Sequence, residues 1–153
     1  MTLLTAGVVI GIGLGGFIDG IALHQILQWH NMGSAVLPPH SMPAMSQNMR
    51  WDGWFHAAAL LITLAGVFML WREGQHGTTP ESGVAFAGQM IFGWGLFNLV
   101  EGLIDHHMLG LHHVRDLPMH VPLYDWVFLF VAGVGFVTIG AVMMAPRRHA
   151  VSA

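Results

Sequence analysis

The sequence predicts an all-α integral membrane protein, a four-helix bundle made of two tandem helical hairpins. Three observations predict this fold. Of the 153 residues, 54% are hydrophobic and only 8% are charged, which is more apolar than a soluble domain of this length. Four apolar stretches are long enough to cross a bilayer as helices. The polar residues of the first stretch recur in the third at one constant offset.

The apolar stretches define the expected membrane spans. They run approximately from Leu3 to Trp29, Trp54 to Trp71, Gly83 to Leu111 and Val121 to Ala145. About 20 helical residues cross the hydrocarbon layer, so each stretch predicts one span. We expect one transmembrane domain, residues 1–153. No cleaved signal peptide is expected, because no basic segment precedes the first apolar stretch.

Arginine positions predict the orientation. Arg72 follows the second span and Arg147 and Arg148 follow the fourth, whereas the other two loops carry one arginine each, Arg50 and Arg115. Arginine-rich loops face the cytoplasm. We therefore expect both termini in the cytoplasm and the loops after the first and third spans outside.

The first and third spans share a pattern of ionisable residues. It begins at Asp19 in the first span and at Glu101 in the third, an offset of 82 (101 − 19 = 82). In each copy the acid is followed by glycine, and histidines stand five and eleven residues after the acid. This predicts two hairpin repeats, about 1–75 and 82–148, related by a pseudo-two-fold axis along the membrane normal.

These ionisable residues predict a metal site. A central Asp in a membrane helix costs about 2.5–3.5 kcal/mol on insertion scales, so such residues need a purpose. The chain has no cysteine, which leaves imidazoles, carboxylates and thioethers as ligands. The candidate metal-site residues are Asp19, His24, His30, His56, Glu101, Asp105, His106, His112, His113 and His120. The four histidines of the shared pattern are the expected ligands, and the three acids would supply charge or orient imidazoles.

Ideal helix geometry gives two expectations about this site. The first histidine of each copy lies about 140° around the helix from its acid, so either it faces another neighbour or the helix is distorted. The acid and the second histidine are separated by about 16 Å of rise, too far to bind one ion together. We therefore expect a deeper layer at the acids and first histidines, and an outer layer with the second histidines, His56, His113 and His120.

The segment between the first two spans favours copper. It contains Met32, His40, Met42, Met45 and Met49. Thioether and imidazole ligands together suit copper(I), so we expect an outward-facing loop that delivers this ion. Methionine is also an adaptable packing residue, and that reading of the loop stays open.

Two stretches carry a resemblance to a known family. GGFIDGIALHQILQWHNM and FNLVEGLIDHHMLGLHHVRDLP resemble a bacterial family of four-helix, His-rich predicted membrane proteins of unknown function. The resemblance covers nearly the whole chain and implies a topology in the bacterial inner membrane rather than an activity. Genes for similar proteins are found near genes for copper handling and oxidase assembly, so the resemblance implies metal handling or oxidase assembly.

The leading hypothesis is a membrane metal-binding protein, with copper favoured and iron or zinc open, whose site lies between helices 1 and 3 in the outer half of the membrane. Alternatives are an oxidoreductase holding a di-iron centre or a haem, with His24 and His106 as the axial pair, a proton or ion pathway, and plain hydrogen bonding between helices.

The expected partners are the lipid bilayer and a metal donor or acceptor protein on the extracytoplasmic side, and a homo-oligomer is open. Nucleic acid is not expected, because five basic and eight acidic residues offer no basic surface to a phosphate backbone.

Overall fold

Helices and the loops between them make up the described part of the chain, and it contains no strand. The structure is a computed structural model and describes residues 5–78, 80 and 82–145. Its four helices are α1 (Ala6–Ile26), α2 (Met42–His76), α3 (Gly83–Met108) and α4 (Pro122–Met144). Each helix is long and apolar enough to cross a membrane, so the predicted all-α class with four membrane-length helices is confirmed. Leu3, Arg147 and Arg148 lie outside the described residues, and the orientation stays an expectation.

Helix α2 is longer than its apolar stretch predicts. It begins at Met42, twelve residues before Trp54 (54 − 42 = 12). Ser41 starts it by accepting a hydrogen bond from the Ala44 backbone amide on its side chain, which is a standard N-cap. At about 1.5 Å per residue, its 35 residues span about 52 Å, more than the roughly 30 Å hydrocarbon layer. The helix therefore extends beyond the apolar layer.

This early start changes the interpretation of the methionines. Met42, Met45 and Met49 lie on the first turns of α2, so the prediction that they belong to a loop was wrong. An apolar stretch predicts only the part of a helix that would cross the hydrocarbon layer, whereas the helix itself begins after its N-cap, Ser41. Their side chains are exposed.

Helices α1 and α3 cross in close contact through glycines. A Cβ added at Gly11 would overlap the Met90 carbonyl oxygen, and one added at Gly93 would overlap the Val8 carbonyl oxygen. The two contacts are related by the sequence offset (93 − 11 = 82; 90 − 8 = 82). Small residues at such crossings let membrane helices approach closely.

Loop contacts between the two hairpins also occur in pairs. The Ala35 amide donates to the Leu111 carbonyl at 3.1 Å, and the Leu117 amide donates to the Trp29 carbonyl at 2.8 Å. The offset is again 82 (117 − 35 = 82; 111 − 29 = 82). Such pairs are what a duplicated hairpin predicts, and the duplication itself stays a prediction.

Helices α1 and α3 end in the same unusual way. Each finishes with a π-helical segment, Gly20–Ile26 in α1 and Gly102–Met108 in α3. Shortly afterwards one residue in each adopts a left-handed backbone, Gln28 (φ 51°) and Gly110 (φ 56°). The chain turns back there, next to the starts of α2 and α4. We call this end of the bundle the site end.

The two left-handed residues give a stability prediction. Gln28→Gly should raise the free energy of unfolding by up to about 1 kcal/mol, because a left-handed conformation is costly for a residue with a Cβ. Gly110→Ala should lower it by about 1 kcal/mol, although an added Cβ would meet nothing within 4 Å. Thermal unfolding in detergent measures both changes, and a lower midpoint for Gln28→Gly would contradict the backbone argument.

Candidate metal centre

Four imidazoles pack against one another at the site end. His24, His30, His106 and His112 are 2%, 1%, 4% and 0% exposed. Ring centroids lie 4.4 Å apart for His24 and His30, 4.5 Å for His30 and His112, and 4.9 Å for His106 and His112. The four histidines of the shared pattern therefore form one cluster, which we call the imidazole cluster.

The π-helical segments bring the first histidines onto the same face as the acids. Asp19 and His24 are five residues apart, which is one π-helical turn, and Asp19 Oδ2 lies 3.2 Å from His24 Nε2. An ideal α-helix would separate the two side chains widely. Of the two readings left open by the sequence, the distorted helix is the one observed.

The expectation of two separate layers was wrong. Asp19 Oδ2 lies 3.8 Å from His30 Nε2, and Glu101 Oε1 lies 3.6 Å from His112 Nε2. Continuous helix would have placed each pair far apart. Because α1 and α3 end before His30 and His112, the chain folds back and returns both imidazoles to the depth of the acids.

Hydrogen bonds across the two hairpins fix the second histidines. His30 Nδ1 donates to the Val114 carbonyl at 2.9 Å, and His112 Nδ1 donates to the Met32 carbonyl at 3.3 Å. The two bonds are related by the offset of 82 (114 − 32 = 82). A carbonyl oxygen only accepts, so Nδ1 carries the hydrogen in both rings. In the neutral imidazole Nε2 then presents a lone pair to the cluster.

Two aspartates that the sequence analysis missed lie beside the first histidines. Asp52 Oδ1 accepts from His24 Nδ1 at 3.0 Å, so that in the neutral ring the lone pair is on Nε2. Asp125 Oδ1 lies 3.8 Å from His106 Nδ1. Both carboxylates are buried, Asp52 ten residues after the start of α2 (52 − 42 = 10) and Asp125 in the first turn of α4. The available signal was an aspartate shortly before a tryptophan at the start of both apolar stretches.

Several polar atoms of the cluster have no hydrogen-bond partner among the described residues. These atoms are Asp19 Oδ2, His24 Nε2, His30 Nε2, both Glu101 carboxylate oxygens, both His106 ring nitrogens and His112 Nε2. The 3.2 Å contact between His24 and Asp19 lacks hydrogen-bond geometry. Buried polar groups in native proteins are nearly always satisfied. A cation between lone pairs and carboxylates would satisfy these atoms together.

The cluster contains two overlapping ligand groups. His24, His30 and His112 form one, and Glu101, His106 and His112 form the other. Within each group, one ligand atom per residue lies within 4.8 Å of the others. His112 is common to both, and its single free Nε2 lone pair binds one ion at a time. The two groups therefore describe one centre rather than two independent sites.

A third group lies at the edge of this centre. His113 Nδ1 and His120 Nε2 lie 3.1 and 2.9 Å from Asp125 Oδ2, and the two rings stack with centroids 3.9 Å apart. The side chains of His113 and His120 are 23% and 40% exposed. We call this group the outer triad.

Three predicted site residues lie outside these three groups. Asp19 is one of them, although its Oδ2 lies 3.2 and 3.8 Å from Nε2 of His24 and His30. Asp105 is half-buried. His56 donates from Nδ1 to the Asp52 backbone carbonyl at 2.7 Å, and its ring centroid lies 6.5 Å from that of His24.

The loop position of His112 affects its titration. His112 follows α3 outside the apolar span. Burial lowers the pKa of its imidazole, and the nearby His30 and His106 lower it further. The ring is therefore neutral at neutral pH, the form in which imidazole binds metals.

The packing argues against a haem between His24 and His106. The His30 ring centroid lies 4.4 Å from His24 and 6.4 Å from His106, and the His112 centroid lies 5.9 Å from His24 and 4.9 Å from His106. The His30 and His112 rings thus occupy the space between His24 and His106 that a haem ring would need.

Comparison with known proteins identifies a family. The model of the family described as "Predicted membrane protein (DUF2243)" matches residues 6–147. The match covers nearly the whole chain, as the two His-containing stretches implied. No curated protein and no solved structure matches the sequence or the fold.

Proposed function

The chain belongs to the family of predicted membrane proteins whose model matches residues 6–147, and we propose that it binds a transition-metal ion in the imidazole cluster. The membrane assignment agrees with the four apolar helices. The ligands of the ion would be His24, His30, His106 and His112, with Asp19 and Glu101 supplying negative charge beside them.

One observation carries the proposal. One ring nitrogen from each of His24, His30 and His112 lies within 4.8 Å of the others. Because Nδ1 of all three is already hydrogen-bonded, Nε2 is the nitrogen that each neutral ring would offer to an ion. Metal-binding histidines in proteins usually donate their other ring N–H to a carboxylate or backbone carbonyl in this way. Plain helix packing would instead pair each ring nitrogen or carboxylate with a donor.

Copper is the metal we expect first. An imidazole-rich site follows the Irving–Williams order, in which Cu²⁺ binds most strongly among the common divalent ions. Exposed methionines at the start of α2, Met42, Met45 and Met49, support capture of copper at the same end of the molecule. Iron and zinc also suit imidazole and carboxylate ligands.

The location of the site supports exchange with the water phase. Asp52 precedes Trp54, the first residue of the apolar stretch in α2, so the cluster lies at one surface of the membrane. We place that surface outside the cytoplasm of a bacterial inner membrane, because the arginines favour the opposite side. There a donor or acceptor protein would exchange the ion, in metal handling or oxidase assembly. The paired contacts support two tandem hairpins in one domain.

Elemental analysis tests this function. Protein produced with copper, zinc and iron available, and purified in detergent, should contain about one ion of one metal per chain, with copper expected. Protein without a stoichiometric metal would contradict metal binding. Two irons per chain would favour the di-iron alternative.

A proton pathway is a second candidate, favoured by the ionisable contacts that continue from Asp19 through the imidazole cluster to the exposed His120. Such chains serve as proton relays in membrane proteins. Proton flux in proteoliposomes that Glu101→Gln abolishes, in protein free of metal, would favour it.

A further inference from the structure

We propose that the outer triad is a second metal site, through which the ion enters and leaves the buried imidazole cluster. This inference rests on the proposed function and adds a route to it. It also predicts that the route lies on one side of the pseudo-two-fold axis only, beside α4.

The outer triad offers ligands that solvent reaches. His113 and His120 present imidazole nitrogens to the same carboxylate oxygen, Asp125 Oδ2. His113 Nδ1 is buried and has no hydrogen bond among the described residues, although the oxygen is 3.1 Å away. The three ligand atoms lie within 4.8 Å of one another. Two imidazoles and one carboxylate are a common ligand set for divalent transition metals.

Asp125 connects the outer triad to the buried cluster. Its Oδ2 faces His113 and His120, whereas its Oδ1 lies 3.8 Å from His106 Nδ1. Oδ1 also accepts from the Val114 amide at 2.8 Å, which fixes the carboxylate between the two sites. His106 itself belongs to the buried ligand group with Glu101 and His112. The Asp125 carboxylate alone therefore lies between the partly exposed His113 and His120 and the buried His106.

The first hairpin has no equivalent entry route for the ion beside α2. Asp52 corresponds to Asp125: its Oδ1 accepts from His24 Nδ1 and from the Met32 amide, at 3.0 and 2.8 Å. Its Oδ2, however, accepts from the Asn31 side-chain amide at 2.7 Å. Asn31 takes the place of His113 in the repeat (113 − 31 = 82).

Asn31 gives Asp52 a side-chain amide donor, whereas Asp125 Oδ2 accepts from His120 Nε2 at 2.9 Å. An imidazole, unlike an amide, can lose that proton and bind a metal. An amide N–H₂ cannot bind a cation, so Asp52 serves to orient His24. The replacement of a histidine by Asn31 thus distinguishes the first hairpin, where no ion would enter, from the second, where His113 offers a ligand.

Loading kinetics test this route. Protein stripped with a chelator and held in detergent would be mixed with Cu²⁺, and the change in absorption or tryptophan fluorescence followed by stopped flow. In the His113→Asn, His120→Asn double variant we expect loading and release to slow about tenfold or more, because ligands at an entrance raise the local ion concentration. The amount of tightly held ion at equilibrium should match that of the wild type.

His76→Asn is the matched control, because it removes an exposed imidazole in the last turn of α2, at the end away from the outer triad, and should leave the rates unchanged. Equal thermal midpoints would show that the double variant is folded. Loading as fast as in the control would overturn this inference and leave the proposed function standing. Wild-type protein that takes up no Cu²⁺, Zn²⁺ or Fe²⁺ would overturn both.

Discussion

Protein that carries His30→Asn and His112→Asn together should retain no ion after purification. Each substitution removes an Nε2 lone pair from the centre of the cluster, where the two rings stack 4.5 Å apart. Affinity should fall by more than about 100-fold, since loss of a residue that merely orients a ligand already costs about 10–100-fold. Ion content and competition with a chelator of known affinity measure the change.

Asparagine is chosen because it can keep the hydrogen bonds that the histidines make across the hairpins. Its side-chain N–H₂ occupies the position of the histidine Nδ1 and can still donate to the carbonyls of Val114 and Met32, which accept from His30 and His112. The hydrogen bonds across the hairpins would therefore survive while the ligands are lost. A folded double variant that binds its ion as tightly as the wild type would refute the assignment of these ligands.

Gly11→Ala should destabilise the protein by more than about 3 kcal/mol, above the usual range for overpacking. The added Cβ would overlap the Met90 carbonyl oxygen, and a backbone atom cannot move aside as a flexible side chain does. Gly93→Ala should have the same effect through the Val8 carbonyl. Unfolding by heat or by denaturing detergent, followed by circular dichroism, measures both losses.

Gly53→Ala controls for the loss of a helical glycine. It lies on α2 with nothing within 4 Å of an added Cβ, so alanine should stabilise the helix by about 0.5–1 kcal/mol. If Gly11→Ala were as stable as Gly53→Ala, the close crossing of α1 and α3 would be wrong.

The sequence alone predicts the helices and selects the four histidines that the fold brings together. Four apolar stretches and one constant offset suffice to identify four candidate spans and to select His24, His30, His106 and His112. Pattern and composition reach this far because a bilayer strongly restricts which polar residues a span contains.

Other features escape prediction because they depend on local backbone geometry. The two-layer expectation assumed an ideal rise of about 1.5 Å per residue, whereas π-helical turns and the left-handed Gln28 and Gly110 return each second histidine to its acid. Asp52 and Asp125 lie outside the duplicated pattern, so only the fold shows that they face His24 and His106. Met42 was assigned to a loop because apolarity, rather than the cap at Ser41, was used to mark the start of α2.

X-ray absorption at the K edge of the metal in purified protein tests the central claim most directly. The account predicts one ion whose nearest neighbours are nitrogen and oxygen atoms. The spectrum should show multiple scattering from three or four imidazole rings, and the His30→Asn, His112→Asn variant should lose this signal together with the ion. A spectrum dominated by sulfur from methionine, or one without imidazole scattering, would contradict it.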